Sequence, residues 1–149
     1  LSNFFAVIFA VSISLFLGSS FTWKSVAAFV PLLTLMDVVQ VLGTGFMGTA
    51  AEKIQVLQLP AMIDLPTFPS GGQGILGLGD IFLVGLLAIQ STHLHGKKFG
   101  LSSVIAMTAV FSLTWIIQMN SPIRYFPATV PIAIGWLTAI AAKHLLRYR

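Results

Sequence analysis

The chain of 149 residues contains no cysteine and very few charged residues. Without cysteine there is neither a disulfide framework nor a thiolate metal site. Only 8% of the residues are charged, against about 25% in soluble globular domains, while 56% are hydrophobic and the mean hydropathy is +0.94. The shortage of charge excludes an ordinary soluble domain and predicts an all-α, polytopic membrane helix bundle.

Acidic residues are scarcer still, with four against eight lysines and arginines, which gives a net charge of +4. Eight scattered basic residues are too few for a nucleic-acid-binding face, so we expect no nucleic-acid partner and predict contact with membrane lipid instead. In membrane proteins, basic residues mainly indicate which side of the bilayer a connection occupies.

Five apolar segments are predicted to be transmembrane helices of a single membrane domain that covers residues 1–149, since a span needs about 20 mainly apolar residues. They cover residues 3–18, 26–44, 75–90, 99–119 and 126–146. The longest connection is the loop 48–74. Within it we expect a short interfacial helix at residues 49–59 and irregular chain after Pro60, because three prolines within ten residues oppose a helix.

An odd number of spans places the chain ends on opposite sides of the membrane. Lys53 and Arg124 fall on one side, and six basic residues fall on the other: Lys24, Lys97, Lys98, Lys143, Arg147 and Arg149. The positive-inside rule then predicts a cytoplasmic C-terminus. We expect a multi-pass protein of a prokaryotic plasma membrane rather than of the endoplasmic reticulum.

Two acids, Asp37 and Asp80, lie inside predicted spans. A carboxylate at the bilayer centre costs roughly 2.5–3.5 kcal/mol on insertion scales, so an acid there needs a partner or a function. The second and third spans are consecutive and antiparallel, which makes them expected neighbours. With a rise of about 1.5 Å per residue, the two acids differ in depth by only about 3 Å, so we predict that their carboxyl groups meet.

Two facing carboxyl groups share one proton, as in aspartic proteases, where one activates water and the other polarises the scissile carbonyl. This chemistry needs no metal and no cofactor. The glycines beside the acids, Gly77 and Gly79 among them, fit either of two purposes. They allow close approach of helices, or they leave room for an extended substrate backbone.

Three motifs resemble those of one protease family. Gly77-Leu78-Gly79-Asp80 resembles the GxGD motif of the presenilins and signal peptide peptidases. Met36-Asp37, with Gly43-Thr44 after it, resembles the YD motif of the signal peptide peptidase branch. Pro127-Ala128-Thr129 resembles the PAL motif at the start of the last span. The motifs occur in the family's order, and the resemblance covers nearly the whole chain, as the last five of nine helices.

The resemblance implies an intramembrane aspartic endopeptidase that cleaves transmembrane segments or signal peptides. Asp37 and Asp80 would be catalytic, and the rest of the two motifs would frame the substrate groove: Gly77, Leu78, Gly79, Pro127, Ala128 and Thr129. The chain departs from the family at Met36, where tyrosine is usual, and at Thr129, where leucine is usual, which bears on substrate fit. Upstream helices or further copies of the chain are the implied partners.

Other interpretations of the two acids stay open. Type IV prepilin peptidases also carry a GxGD-like element, but they usually follow its acid closely with a lysine, whereas Ile81-Phe82-Leu83 follows Asp80 here. Intramembrane acids also mark proton and ion transporters. The chain is alternatively an inactive scaffold fragment.

Overall fold

The computed structural model describes residues 2–44, 62–66, 73–121 and 126–147, which form a bundle of five α-helices with one short β-hairpin. The predicted all-α bundle is therefore confirmed. The predicted helix at 49–59 lies outside the described residues. In chain order the elements are α1 (Ser2–Ser20), α2 (Trp23–Val38) with a π-helical continuation (Val39–Thr44), β1 (Met62–Pro66), β2 (Gln73–Gly77), α3 (Leu78–His95), α4 (Lys97–Met119) and α5 (Thr129–Arg147).

Four of these helices are long and apolar enough to cross a membrane, which makes the chain a membrane protein. The qualifying segments are Asn3–Ser20, Trp23–Gly43, Lys97–Met119 and Thr129–Leu146. The remaining helix, α3, lies inside the bundle, where it contacts α1, α2, α4 and α5. A helix that its neighbours shield from lipid needs less hydrophobicity of its own, which accounts for the polar side chains in the last turns of α3.

Small residues pack α1 against α3. Ala6, Ala10, Ser14 and Gly18 recur every fourth residue of α1, and all four are buried. A Cβ atom at Gly85 of α3 would lie only 2.7 Å from the Cβ atom of Ser14. Small residues at this spacing let two helix backbones approach closely, which is a common way to hold membrane helices together.

Gln90 joins the far end of α3 to α1. Its Nε2 donates hydrogen bonds to the backbone oxygens of Gly18 at 3.0 Å and Phe21 at 2.7 Å, where α1 has ended and its carbonyls lack helical partners. This helix was predicted to stop at residue 90, but it continues to His95. Gly96, with φ of +88°, then makes the turn into α4.

Large apolar side chains of α3 fill the centre of the bundle together with residues from α2, α4 and α5. The buried cluster consists of Val26, Val30, Leu83, Leu86, Leu87, Met107, Ile132, Ala133 and Trp136. The Trp136 indole nitrogen donates a hydrogen bond to Ser91 Oγ at 3.1 Å, so the polar atoms of this buried pair satisfy each other.

Three predictions near the acids differ from the structure, one about the loop and two about where helices begin. Instead of irregular chain after Pro60, β1 pairs antiparallel with β2, from Met62 opposite Gly77 to Pro66 opposite Gln73. Prolines oppose a helix but are tolerated at strand ends and sheet edges.

The third helix therefore begins at Leu78 rather than at residue 75. The fifth begins at Thr129 rather than at 126, because a residue that precedes proline, here Phe126, is disfavoured in helical geometry.

Candidate active site

The motif Gly77-Leu78-Gly79-Asp80 forms the junction between β2 and α3. Gly77 ends the strand and is the N-cap of the helix, with extended dihedral angles of φ −69° and ψ 146°. Asp80 is the third helical residue, and its carboxyl group accepts a hydrogen bond from the Gly77 backbone N–H. A carboxylate at this position satisfies a free N–H and interacts favourably with the positive end of the helix dipole. The local chain geometry thus fixes where Asp80 lies.

Asp37 lies at the end of α2, immediately before the π-helical turn. Its side chain is buried at 8% exposure, on the same face of α2 as Val26 and Val30. Thr129, the first residue of α5, donates two hydrogen bonds to Asp37 Oδ2: its backbone N–H at 3.3 Å and its hydroxyl at 2.6 Å. Ala128 precedes the helix and has no side-chain oxygen to cap it, so the cap of α5 comes from α2.

The carboxyl groups of Asp37 and Asp80 lie close enough for their charges to interact. They reach this position from two helices, α2 and α3, that are neighbours as the antiparallel order predicted. Both acids lie at helix N-termini, Asp80 at that of α3 and Asp37 at that of α5. The partial positive charge at these termini offsets part of the cost of placing carboxylates inside an apolar bundle.

A groove of about 500 Å³ borders Asp80. It runs between α3 and α4, and Ile132 of α5 contributes to its wall. The lining is mainly apolar and includes exposed residues, which places the groove at the surface of the bundle. The lining residues are Leu76, Asp80, Ile81, Val84, Met107, Thr108, Phe111, Ser112, Trp115, Ile116 and Ile132. An apolar segment that lies in this groove would pass directly beside the carboxyl group of Asp80.

Close approach of helices was one of the two purposes predicted for the motif glycines, Gly77 and Gly79, and the structure does not show it. A Cβ atom added at Gly79 would meet no atom of the described residues within 4 Å, and one at Gly77 would meet the Asp80 carboxylate at 3.2 Å. Both glycines lie at a strand-to-helix junction, and among the described residues no helix other than α3 comes within 4 Å of a Cβ atom at either position. The second purpose, room for an extended substrate, stays a prediction that the open space at Gly79 favours.

The residues Pro127-Ala128-Thr129 lead into α5 on the side that faces Asp37. Pro127 and Thr129 are buried, and Ala128 is partly buried. The contact between Thr129 and Asp37 was not predicted from the sequence. The available signal was a hydroxyl-bearing residue at the position where the resembled motif has leucine. Among the described residues, no three His, Asp or Glu side chains gather as a metal site would require.

Comparisons of the chain with protein-family models, with curated proteins and with solved structures give no match.

Proposed function

We propose that this chain is an intramembrane aspartic endopeptidase in which Asp37 and Asp80 together hydrolyse peptide bonds within the bilayer. The observation that carries the proposal is that two acids from different helices lie close enough for their charges to interact, in a bundle whose described buried residues include no other charged side chain. The fixing of both acids by backbone N–H groups supports it, since a catalytic pair must be held in one geometry before substrate arrives.

The reaction requires only water and the two carboxyl groups. One carboxylate takes a proton from water while the water oxygen forms a bond to the scissile carbonyl carbon. The protonated carboxyl of the other acid gives its proton to the carbonyl oxygen, which yields a tetrahedral diol. The first acid then protonates the amide nitrogen, the C–N bond breaks, and a diol hydroxyl returns a proton to the second acid. Both carboxyl groups end in their starting states.

The substrates in this proposal are transmembrane segments or signal peptides. The groove beside Asp80 supports this assignment, because its mainly apolar walls fit an apolar segment that approaches within the membrane. A helical substrate must unwind locally before cleavage, since its carbonyl groups are otherwise hydrogen-bonded. Gly79, with open space beside it, leaves room for the unwound backbone.

The orientation in the membrane is also proposed. The α3–α4 turn and the last turns of α5 lie together, with Lys143 Nζ 4.7 Å from the centre of the Phe99 ring. This end of the bundle carries basic side chains, whereas all four acids of the chain precede residue 81. The positive-inside rule places the basic end, with the C-terminus, in the cytoplasm. We propose the plasma membrane of a prokaryote as the location.

An uncovered face of α2 indicates further partners. Leu32, Leu35, Met36 and Val39 are more than half exposed, and α2 packs mainly against α3 and α5 among the described helices, apart from its own π-helical continuation. We propose that upstream helices of the same protein or another copy of the chain cover part of this face and lipid covers the rest, so that the chain is the catalytic half of a larger bundle.

The proposal is tested by reconstituting the chain in liposomes with a transmembrane reporter peptide and measuring product by mass spectrometry. Asp37→Asn and Asp80→Asn should each abolish cleavage, while Glu52→Gln, which also removes one carboxylate, should not. Proton and ion flux are measured in the same liposomes. Flux that depends on the two acids, without peptide product, would establish a transporter instead, and no difference in either assay would indicate an inactive scaffold.

A further inference from the structure

Thr129 hydrogen-bonds one of the two acids across the interface between α5 and α2. We propose that Thr129 is a positioning residue that holds Asp37 as the ionised, water-activating member of the pair and leaves the shared proton on Asp80. This inference rests on the proposed function and goes beyond it, because it gives the two acids different roles.

The two hydrogen bonds from Thr129 converge on a single oxygen, Asp37 Oδ2. A backbone N–H only donates, so this oxygen acts as an acceptor. At 2.6 Å, the bond from the Thr129 hydroxyl has the short length typical of an O–H group that donates to an ionised carboxylate. An oxygen that accepts two donors at the positive end of a helix is a favourable place for the negative charge.

Asp80 has different surroundings. Its carboxyl group accepts the backbone N–H of Gly77 and borders the mainly apolar groove. The titratable group that faces Asp37 from α3 is Asp80 itself, and the group that α5 presents to Asp37 is the uncharged Thr129. When Asp37 is ionised, a second charge beside it is repelled, and the low polarity of the groove adds to that cost. The proton therefore resides on Asp80, next to the groove where a scissile carbonyl would lie.

The test compares Thr129→Val, which removes the hydroxyl at nearly constant volume, with Thr129→Ser, which keeps it. For Thr129→Val we expect kcat to fall about 10- to 100-fold, as for loss of a hydrogen bond to a charged group, with KM nearly unchanged. Thr129→Ser should retain most of kcat.

Thr138→Val is the matched control, since the Thr138 hydroxyl donates to the Gly135 carbonyl oxygen of its own helix, α5. It should leave kcat unchanged. If Thr129→Val does not accumulate as folded protein, Thr129→Ala removes the same hydroxyl with less demand on packing. A wild-type kcat in Thr129→Val or Thr129→Ala would overturn the role of Thr129. Cleavage that survives Asp37→Asn or Asp80→Asn would instead overturn the protease itself.

Discussion

Gly135 of α5 lies directly against the backbone of Met107 in α4. A Cβ atom at residue 135 would lie 2.6 Å from the Met107 Cα atom and 2.9 Å from the Ala106 carbonyl oxygen. Both are backbone atoms of a helix, which cannot move aside as the end of a flexible side chain can. Because α5 begins with Thr129, this contact also holds the first turn of α5 in place beside Asp37.

The substitution Gly135→Ala should therefore separate α4 from α5. We expect a loss of stability of about 1–3 kcal/mol, as for other overpacked cores, measured by thermal unfolding of the purified protein in detergent. Gly43→Ala is the control, because a Cβ atom there would meet Val39 Cγ1 at an ordinary 3.9 Å. Equal stability of the two variants would show that the α4–α5 interface does not depend on the close contact.

The groove beside Asp80 should control substrate access. Ser112→Trp places a large ring among the lining residues, so we expect kcat/KM for a transmembrane reporter to fall by about tenfold or more because the reacting groups are displaced. Ile117→Trp adds a ring to the same helix at a position that is 62% exposed and outside the groove. It should leave kcat/KM unchanged. Equal kinetics in both variants would mean that substrate does not use this groove.

His95 should make the stability of the bundle depend on pH. Burial lowers the pKa of the His95 imidazole below its usual 6.5, and the nearby Lys143 and His144 lower it further. His95 lies in the polar turn beyond the predicted span, with its ring centre 4.8 Å from that of Phe99 and the two rings tilted by 40°. Since the unfolded chain binds this proton more readily, the stability is full above about pH 6.5 and declines as the pH falls below that value.

Thermal unfolding at about pH 7.5 and about pH 5.5 checks this expectation, since an unperturbed histidine titrates between these values. His95→Gln should reduce the difference between the two melting temperatures, because glutamine does not titrate. His93→Gln, at an exposed position of the same turn, should leave the difference as it is in the wild type. An undiminished difference in His95→Gln would assign the pH dependence to other groups.

Much of the fold could be predicted from hydropathy and residue spacing. The lack of charge predicted a membrane bundle, and the apolar runs predicted five helices, because a segment that crosses a bilayer must be long and must satisfy its own backbone hydrogen bonds. The pattern Ala6, Ala10, Ser14 and Gly18 carries a signal for close helix packing, whereas Gly77 and Gly79, for which such packing was predicted, lie at a strand-to-helix junction. The hairpin was not predicted, because strand pairing depends on a partner strand, and the number of prolines does not indicate whether such a partner exists.

The sequence by itself determined that two carboxyl groups lie in largely apolar helices, since the apolar runs around Asp37 and Asp80 can be read directly. Their similar depth stays a prediction from helix rise and span limits. The tertiary structure decided how each acid is held. Asp80 is fixed by its own chain, through the turn at Gly77, whereas Asp37 is fixed by Thr129, which lies 92 residues away in the sequence. A hydrogen bond between distant segments depends on how α2 packs against α5, and that packing follows from the whole bundle rather than from any local pattern.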